Sequence, residues 1–527
     1  MSALSSYSHA IDLSSTNEER QPALVNRALV NLRLGRYSAV LTDCSQANDP
    51  STPNSKLLYR TAMAHYGLGD FSKCRDTLLQ LIDAFPKEPA GESALARVDA
   101  RLHEQATGQY AFTSMYQQAK SSGPVDCASF YGPVEVRESP GRGRGLFLTN
   151  DVSIGDLILC EKAFAFGRSS YQMNETLSFF GRRIRSVVDT KEKVLLVSQI
   201  HQKLLHNPET SRPILELFAD SGDFERNMAA PGPGCEPVLD SFLVNSIVDF
   251  NAALYLAMVP GRLSEADHSV PLGPFRHGSH EEIPAGNSVW LKASSMNHAC
   301  YPNCSRVFIG DMVIVRAARD LAAGTELSVA YSPPVMLETA SQVKDMTMAA
   351  WGFTCTCDLC EARQRAADQA ADGQRTIIKD STEAISHSTP PANSEHRMRL
   401  YSDIVAKYPS YAGPNLAPCI EAWPLVWFHE LSLRTLNKGH EAVIDGIAGG
   451  LRVAGFVVSY SRDKFEIEKW GMLQSRLPEI LARLYQAYRR VNLHVCPAIK
   501  KYARTAFLVM TGEDETFGQM FPTLAKE

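Results

Sequence analysis

Long apolar runs are missing from this 527-residue chain. The most apolar stretch, from about Ile447 to Val458, is interrupted by three glycines and Arg452. A bilayer span needs roughly 20 apolar residues, so no transmembrane helix and no membrane partner are expected. The start, Met1-Ser2-Ala3-Leu4-Ser5-Ser6, lacks the basic segment and apolar core of a secretory leader, and an intracellular site, nuclear or cytoplasmic, is the expectation. Basic clusters are lacking as well. Against 53 Lys and Arg stand 58 Asp and Glu, a formal net charge of −5, which leaves no electrostatic footprint for direct nucleic-acid binding. A slightly acidic surface suits a cationic substrate better.

What is present describes a globular protein of roughly two to four domains. Near the N-terminus, Leu24, Ala28, Leu34, Gly35 and Tyr37 recur 34 positions later as Leu58, Ala62, Leu68, Gly69 and Phe71. That is the tetratricopeptide period: the alanine lets two helices approach, the glycine permits the turn, and the aromatic packs between them. An unrelated helical bundle is the plainer alternative for residues 1–120. From about Val134 the texture becomes β-rich, with strands expected at Val134 to Val136, Gly145 to Leu148 and Leu157 to Cys160. A helical insert is expected at about 168–245, and further strands around Val289, Val307, Met312 to Val315 and Leu327 to Tyr331. A helix and linker are expected at 366–395, then a C-terminal helical domain at 396–527. There Leu477, Ile480, Leu481, Leu484 and Tyr488 form an amphipathic stripe. The whole reads as an α+β chain.

Twelve cysteines are present, and five of them fall between Cys300 and Cys360. Cys355-x-Cys357-x-x-Cys360 places three thiolates in one short loop, where a tetrahedral zinc can draw each to about 2.3 Å. On spacing alone Cys300 and Cys304 compete as the fourth ligand, and a closed four-sulfur site is structural because no position stays open for water. Gly141-Arg142-Gly143-Arg144-Gly145, with Glu161 further on, invites comparison with a dinucleotide-binding turn. Such a turn opens a helix, whereas here Leu146-Phe147-Leu148 runs into turn signals at Asn150-Asp151 and Gly155. Two arginines in that turn suit a carboxylate ligand instead. Tyr331 ends the alternating strand Glu326 to Tyr331; alone, it reads as a core tyrosine.

Taken in order, Gly-Arg-Gly-Arg-Gly-Leu, Asn297-His298-x-Cys300-x-Pro302-Asn303, Glu326-Leu327-x-x-x-Tyr331 and Cys355-x-Cys357-x-x-Cys360 resemble a SET-domain lysine methyltransferase over about Val134 to Cys360. Phe353 and Asn245-Ser246 point to the branch that includes the SET and MYND proteins. The resemblance implies a SET domain at 130–340 with pseudoknot-like threading, an exception to unknotted connections, and a post-SET zinc segment at 341–365. It implies S-adenosyl-L-methionine contacts by Arg142, Arg144, Asn245, Ser294, Asn297, His298 and Phe353. It implies zinc ligation by Cys300, Cys355, Cys357 and Cys360, favouring Cys300 over Cys304, and catalysis by Tyr331.

The chain departs from that pattern in several places. Ala299 and Val244 replace a common serine and cysteine, Trp351 stands where a tyrosine often lines the substrate channel, and the stretch from Asn251 to Asn297 is long. The Cys/His-rich MYND module is absent, since no cysteine lies between Cys160 and Cys235. The expected activity is methylation of a protein lysine, with the repeats recruiting a protein partner. The alternatives are a catalytically silent scaffold and a methyltransferase acting on a small-molecule amine.

Overall fold

The computed structural model describes residues 2–49, 52–121, 124–171, 191–219, 239–256, 283–331, 340–365, 437–473 and 476–525, with single positions at Glu395, Arg399, Ser402, His429 and Leu433. The expected linker after 365 and the opening of the C-terminal domain therefore lie almost wholly outside the described residues. So do parts of the insert (172–190 and 220–238) and of the long loop before Asn297 (257–282).

The N-terminal region is a run of helices, α1 (Ser2–Leu13), α2 (Asn17–Arg33), α3 (Tyr37–Ala47), α4 (Ser55–Leu68), α5 (Phe71–Ala84), α6 (Pro89–Thr107) and α7 (Phe112–Ser121). Their ends are set locally. Thr16 Oγ1 accepts the Glu19 N–H at 3.2 Å while the Glu19 carboxylate accepts the Ser15 N–H at 3.0 Å, a reciprocal N-terminal cap. Gly35 and Gly69, the matched glycines, sit at φ +68° and +79°, left-handed values that side chains disfavour. Ala28 and Ala62 are wholly buried. A Cβ at Gly67 would stand 2.2 Å from the Tyr37 ring, so the aromatic opening α3 lies directly against the backbone of α4.

The β-rich region contains β1 (Phe130–Tyr131), β2 (Val134–Ser139), β3 (Gly143–Leu148), β4 (Leu157–Lys162), β5 (Ala165–Tyr171), β6 (Ala253–Leu256), β7 (Ile283–Val289), β8 (Asn297–His298), β9 (Cys304–Ile309), β10 (Met312–Ala317) and β11 (Glu326–Val329). They form sheets ordered β1-β4-β10-β9, β2-β3-β11-β8 and β5-β7-β6. Neighbours are antiparallel except β8 and β11, which run parallel. Leu146, Leu148, Ile158, Leu159, Val313, Val315 and Leu327 meet in one core between the first two sheets. The third sheet carries the insert helices α8 (Lys191–His206), α9 (Ser211–Leu215) and α10 (Ser241–Asn251).

After α11 (Ala340–Trp351) and α12 (Asp358–Arg365), the described C-terminal part holds α13 (His440–Val453), α14 (Leu477–Val491) and α15 (Cys496–Thr511). The stripe on α14 is buried as its spacing requires. One correction to a purely helical reading is a hairpin, β12 (Val457–Ser461) and β13 (Lys464–Lys469). Phe465 and Ile467 are buried between exposed Lys464, Glu466 and Glu468, a period of two that a run read as apolar up to Val458 conceals. No helix among the described residues is long and apolar enough to cross a membrane.

Candidate active site and metal centre

Strand β11 organises the site. On one side it pairs with β3, Glu326 opposite Phe147 and Leu327 opposite Leu146, which brings in the Gly-Arg turn. On the other it pairs with β8, Ser328 opposite Asn297 and Val329 opposite His298. Asn303 ties the following loop to the same strand: its Nδ2 donates to the Glu326 carbonyl at 2.8 Å and its Oδ1 accepts the Ser328 N–H at 2.7 Å. Upstream, the buried Glu161 carboxylate accepts the Lys292 and Ala293 N–H groups at 2.9 and 2.8 Å and the Tyr131 hydroxyl at 3.1 Å. It fixes the turn that leads into Asn297.

One end of the site is polar. Asn297 Nδ2 donates to Glu326 Oε1 at 2.7 Å and to the Arg144 carbonyl at 3.2 Å. The Arg142 guanidinium stands 3.8 Å from Glu326 Oε2. Arg144 brings its backbone to this group, while its side chain pairs with Glu216 at 3.5 Å. Ser294 Oγ donates to the Asn251 carbonyl at 3.3 Å, tethering the end of α10 to the turn. Asn245, on that helix, donates to Asp249 Oδ2 at 3.2 Å, and no described hydrogen bond joins it to Asn297.

The other end is aromatic. Around the His298 ring stand Tyr331 at 5.3 Å, Phe353 at 5.9 Å and Trp351 at 6.4 Å, the last nearly parallel to it at 15°. Tyr331 meets Trp351 edge-on at 5.4 Å. Its hydroxyl donates to the Met296 carbonyl at 2.9 Å, and burial pushes its pKa up to about 12 against the lowering influence of Arg306 and Arg142. The phenol is therefore neutral at physiological pH.

Behind the aromatic end, the sulfurs of Cys300, Cys355, Cys357 and Cys360 lie within 4.8 Å of one another, all buried. Cys300 Sγ stands 3.8 Å from Cys355 Sγ and 3.6 Å from Cys360 Sγ. Four sulfurs at about 2.3 Å from a tetrahedral centre are about 3.8 Å apart, whereas a disulfide needs about 2.05 Å; the spacing fits a shared zinc. Crowding splits the thiols: hydrogen bonds from Cys300 lower the pKa of Cys355 and of Cys357, and their counterparts raise that of Cys300. Cys304 is turned elsewhere, into the core that also holds Leu146 and Val315.

His298 joins the two halves. Its Nδ1 accepts the Tyr331 N–H at 3.1 Å, so the proton belongs on Nε2, 3.2 Å from Cys300 Sγ. Sequence reasoning gave no role to Glu326 or to Arg306, and it weighed Glu161 only for a nucleotide turn. Glu326 had a signal, an acid opening the motif strand; its carboxylate lies over Gly145, where an added Cβ would stand 2.7 Å from its Oε1.

The family profile described as SET domain matches residues 143–332. A protein of Gibberella zeae named "Methyltransferase" is 32% identical over 534 residues, covering 98% of this chain and 71% of its own length. The human "Histone-lysine N-methyltransferase SMYD3" is 31% identical over 123 residues, 23% of this chain and 28% of that protein. The Xenopus laevis "N-lysine methyltransferase SMYD2-A" is 22% identical over 301 residues, 49% of this chain and 66% of that protein.

Proposed function

The chain belongs to the SET-domain methyltransferase family, and from that premise we propose that it is an S-adenosyl-L-methionine-dependent protein-lysine N-methyltransferase. The observation that carries this reading is the convergence of Asn297, His298, Tyr331 and Phe353 around the end of β11. The human and frog relatives, named for methylation of lysine, support the acceptor class.

In this reading Asn297, held by Glu326, and Arg142 receive the amino-acid portion of the donor. Ser294 and Asn245 flank it, Arg144 supplies its backbone, and His298 and the partly exposed Phe353 ring hold the adenine end. A half-open aromatic ring beside a carboxylate and an amide suits a ligand with one flat and one zwitterionic end. The donor would supply a methyl group on a sulfonium sulfur; the lysine nitrogen, approaching in line, would bond to that carbon as the S–C bond breaks and the neutral thioether leaves, so alignment matters most. Tyr331, neutral and fixed on the Met296 carbonyl, orients the amine without removing its proton. Trp351 walls the channel beside it, and loss of solvent there lowers the pKa of an entering lysine.

Cys300, Cys355, Cys357 and Cys360 would hold zinc, which closes the segment 341–365 over the pocket and has no free position for chemistry. The Nε2–H of His298 supports Cys300 from outside that shell. We read the parallel pairing of β8 with β11, locked by Asn303, as the threaded element of residues 130–340. Residues 1–120 are taken as tetratricopeptide-like repeats that recruit a protein partner, and residues 396–527 as a helical domain framing the entrance.

Incubation with labelled donor and cell extract tests the reading. Labelled protein from wild type and a large loss with Tyr331→Phe are expected, and equal labelling by both would overturn the role of Tyr331. Failure of the folded chain to bind the donor in calorimetry would favour a silent scaffold, and label confined to metabolites would favour a small-molecule amine.

A further inference from the structure

Arg306 lies on β9 between Cys304 and Phe308, and alternation along a strand puts these three side chains on one face. Cys304 and Phe308 join the core that also packs Trp290 and Tyr331, so the guanidinium rises from an apolar surface. It stands 5.4 Å from the Phe308 ring centre and makes a long hydrogen bond of 3.4 Å to the Ala330 carbonyl, next to Tyr331. No carboxylate pairs with it among the described residues. Protein surrounds the group closely enough to lower its pKa, yet the side chain retains some exposure. The group is thus embedded in protein yet still partly open. Tyr331, Trp351 and Phe353 are partly exposed as well, and the hydrogen bond to the Ala330 carbonyl sets the guanidinium next to Tyr331 in the chain.

A guanidinium drawn out of water without a counter-charge is costly, and a planar carboxylate answers it with paired charge-assisted hydrogen bonds. We infer that Arg306 is a specificity-determining residue, selecting acceptors that carry a carboxylate close to the reacting amine. The same charge works against acceptors flanked by Lys or Arg. This rests on the methyl-transfer reading above and adds the chemistry of the acceptor to it.

The test compares wild type, Arg306→Met and Arg306→Lys with labelled S-adenosyl-L-methionine and lysine peptides. Neighbouring positions carry in turn Asp, Glu, Asn, Gln or Lys, each peptide made with a free and an amidated C-terminus. Wild type is expected to favour an acidic peptide over its amide counterpart by about ten-fold at one position, the worth of one charge-assisted hydrogen bond. Arg306→Met should bring that ratio to about one, and Arg306→Lys should restore part of it. A preference confined to free C-termini supports the inference with the chain end as the source of the carboxylate. Equal rates on acid and amide peptides overturn it while leaving methyl transfer standing. So does an Arg306→Met variant that keeps the wild-type ratio, which would mark the residue as an anchor for Ala330. If no peptide is labelled although calorimetry finds the donor bound, acceptors labelled in extract are mapped; neighbours without acids then overturn it. Absence of donor binding removes both this inference and the reading beneath it.

Discussion

At Tyr331 two influences oppose each other. Burial raises the phenol pKa to about 12 while Arg306 and Arg142 lower it, and burial wins. The protonated form is the one the fold favours, so ionising this group costs stability only as pH climbs past the ordinary phenol value near 10. The methyl-transfer rate is therefore predicted to rise between about pH 7 and pH 9 as the acceptor amine deprotonates. Tyr331→Phe should keep the slope of that rise while lowering its height by about 100-fold. A variant that flattened the slope would assign proton removal to Tyr331 instead. At the polar end, Asn297→Ala leaves the Glu326 carboxylate without its 2.7 Å partner. Donor binding measured by calorimetry should weaken by about ten-fold or more; unchanged affinity would exclude Asn297 from the pocket.

At the level of elements, β11 draws together pieces that are far apart in the chain, and legibility in the sequence followed that distance. Strands such as β3, β4 and β10 were readable because alternation and glycine turns are local signals, as was the triple-cysteine loop. The choice between Cys300 and Cys304 was not local. It depends on Cys304 entering β9 and facing the core, a consequence of the sheet and not of spacing. Glu161 was misleading for the same reason, because its partners Lys292 and Ala293 lie about 130 residues on. Two predictions belong here. Gly145→Ala, with a Cβ 2.7 Å from Glu326 Oε1 and 2.9 Å from the Phe147 ring, should weaken donor binding while the protein still carries zinc. Elemental analysis should find one zinc per chain, lost in Cys357→Ser with a fall in Tm of roughly 5 °C or more, at about 2–4 °C per kcal/mol. Reduced wild-type protein that carries no zinc after growth in zinc-supplemented medium would dismiss the metal centre.

Across the whole molecule, a few polar anchors join regions that composition treats as separate. Asn207 Nδ2 donates to the Gly35 carbonyl at 3.0 Å and the Ser38 hydroxyl meets Glu209 at 2.6 Å, fastening the N-terminal helices to the insert. Glu515 accepts the Phe112 and Thr113 N–H groups at 3.0 and 2.8 Å, capping α7 from the far end of the chain. A third anchor is the buried Arg316 on β10, which donates to the carbonyls of Gly512, just past α15, and Gly155, each at 2.8 Å. These partners lie 196 and 161 positions away, beyond any local signal. An arginine in a strand otherwise reading Met-Val-Ile-Val is the one hint the sequence offers. Arg316→Met keeps most of the apolar bulk but leaves two buried carbonyls without donors, at about 1–3 kcal/mol each. The unfolding midpoint should fall, and limited proteolysis should release the C-terminal segment earlier than in wild type. Glu515→Gln keeps one carbonyl acceptor at an exposed helix end and should cost well under 1 kcal/mol by the usual scale of surface changes. If the two variants melt and digest alike, Arg316 does not hold the C-terminal helices to the sheet. If they separate as expected, the C-terminal helices are held from inside the β-core, by the strand next to the one that carries Arg306.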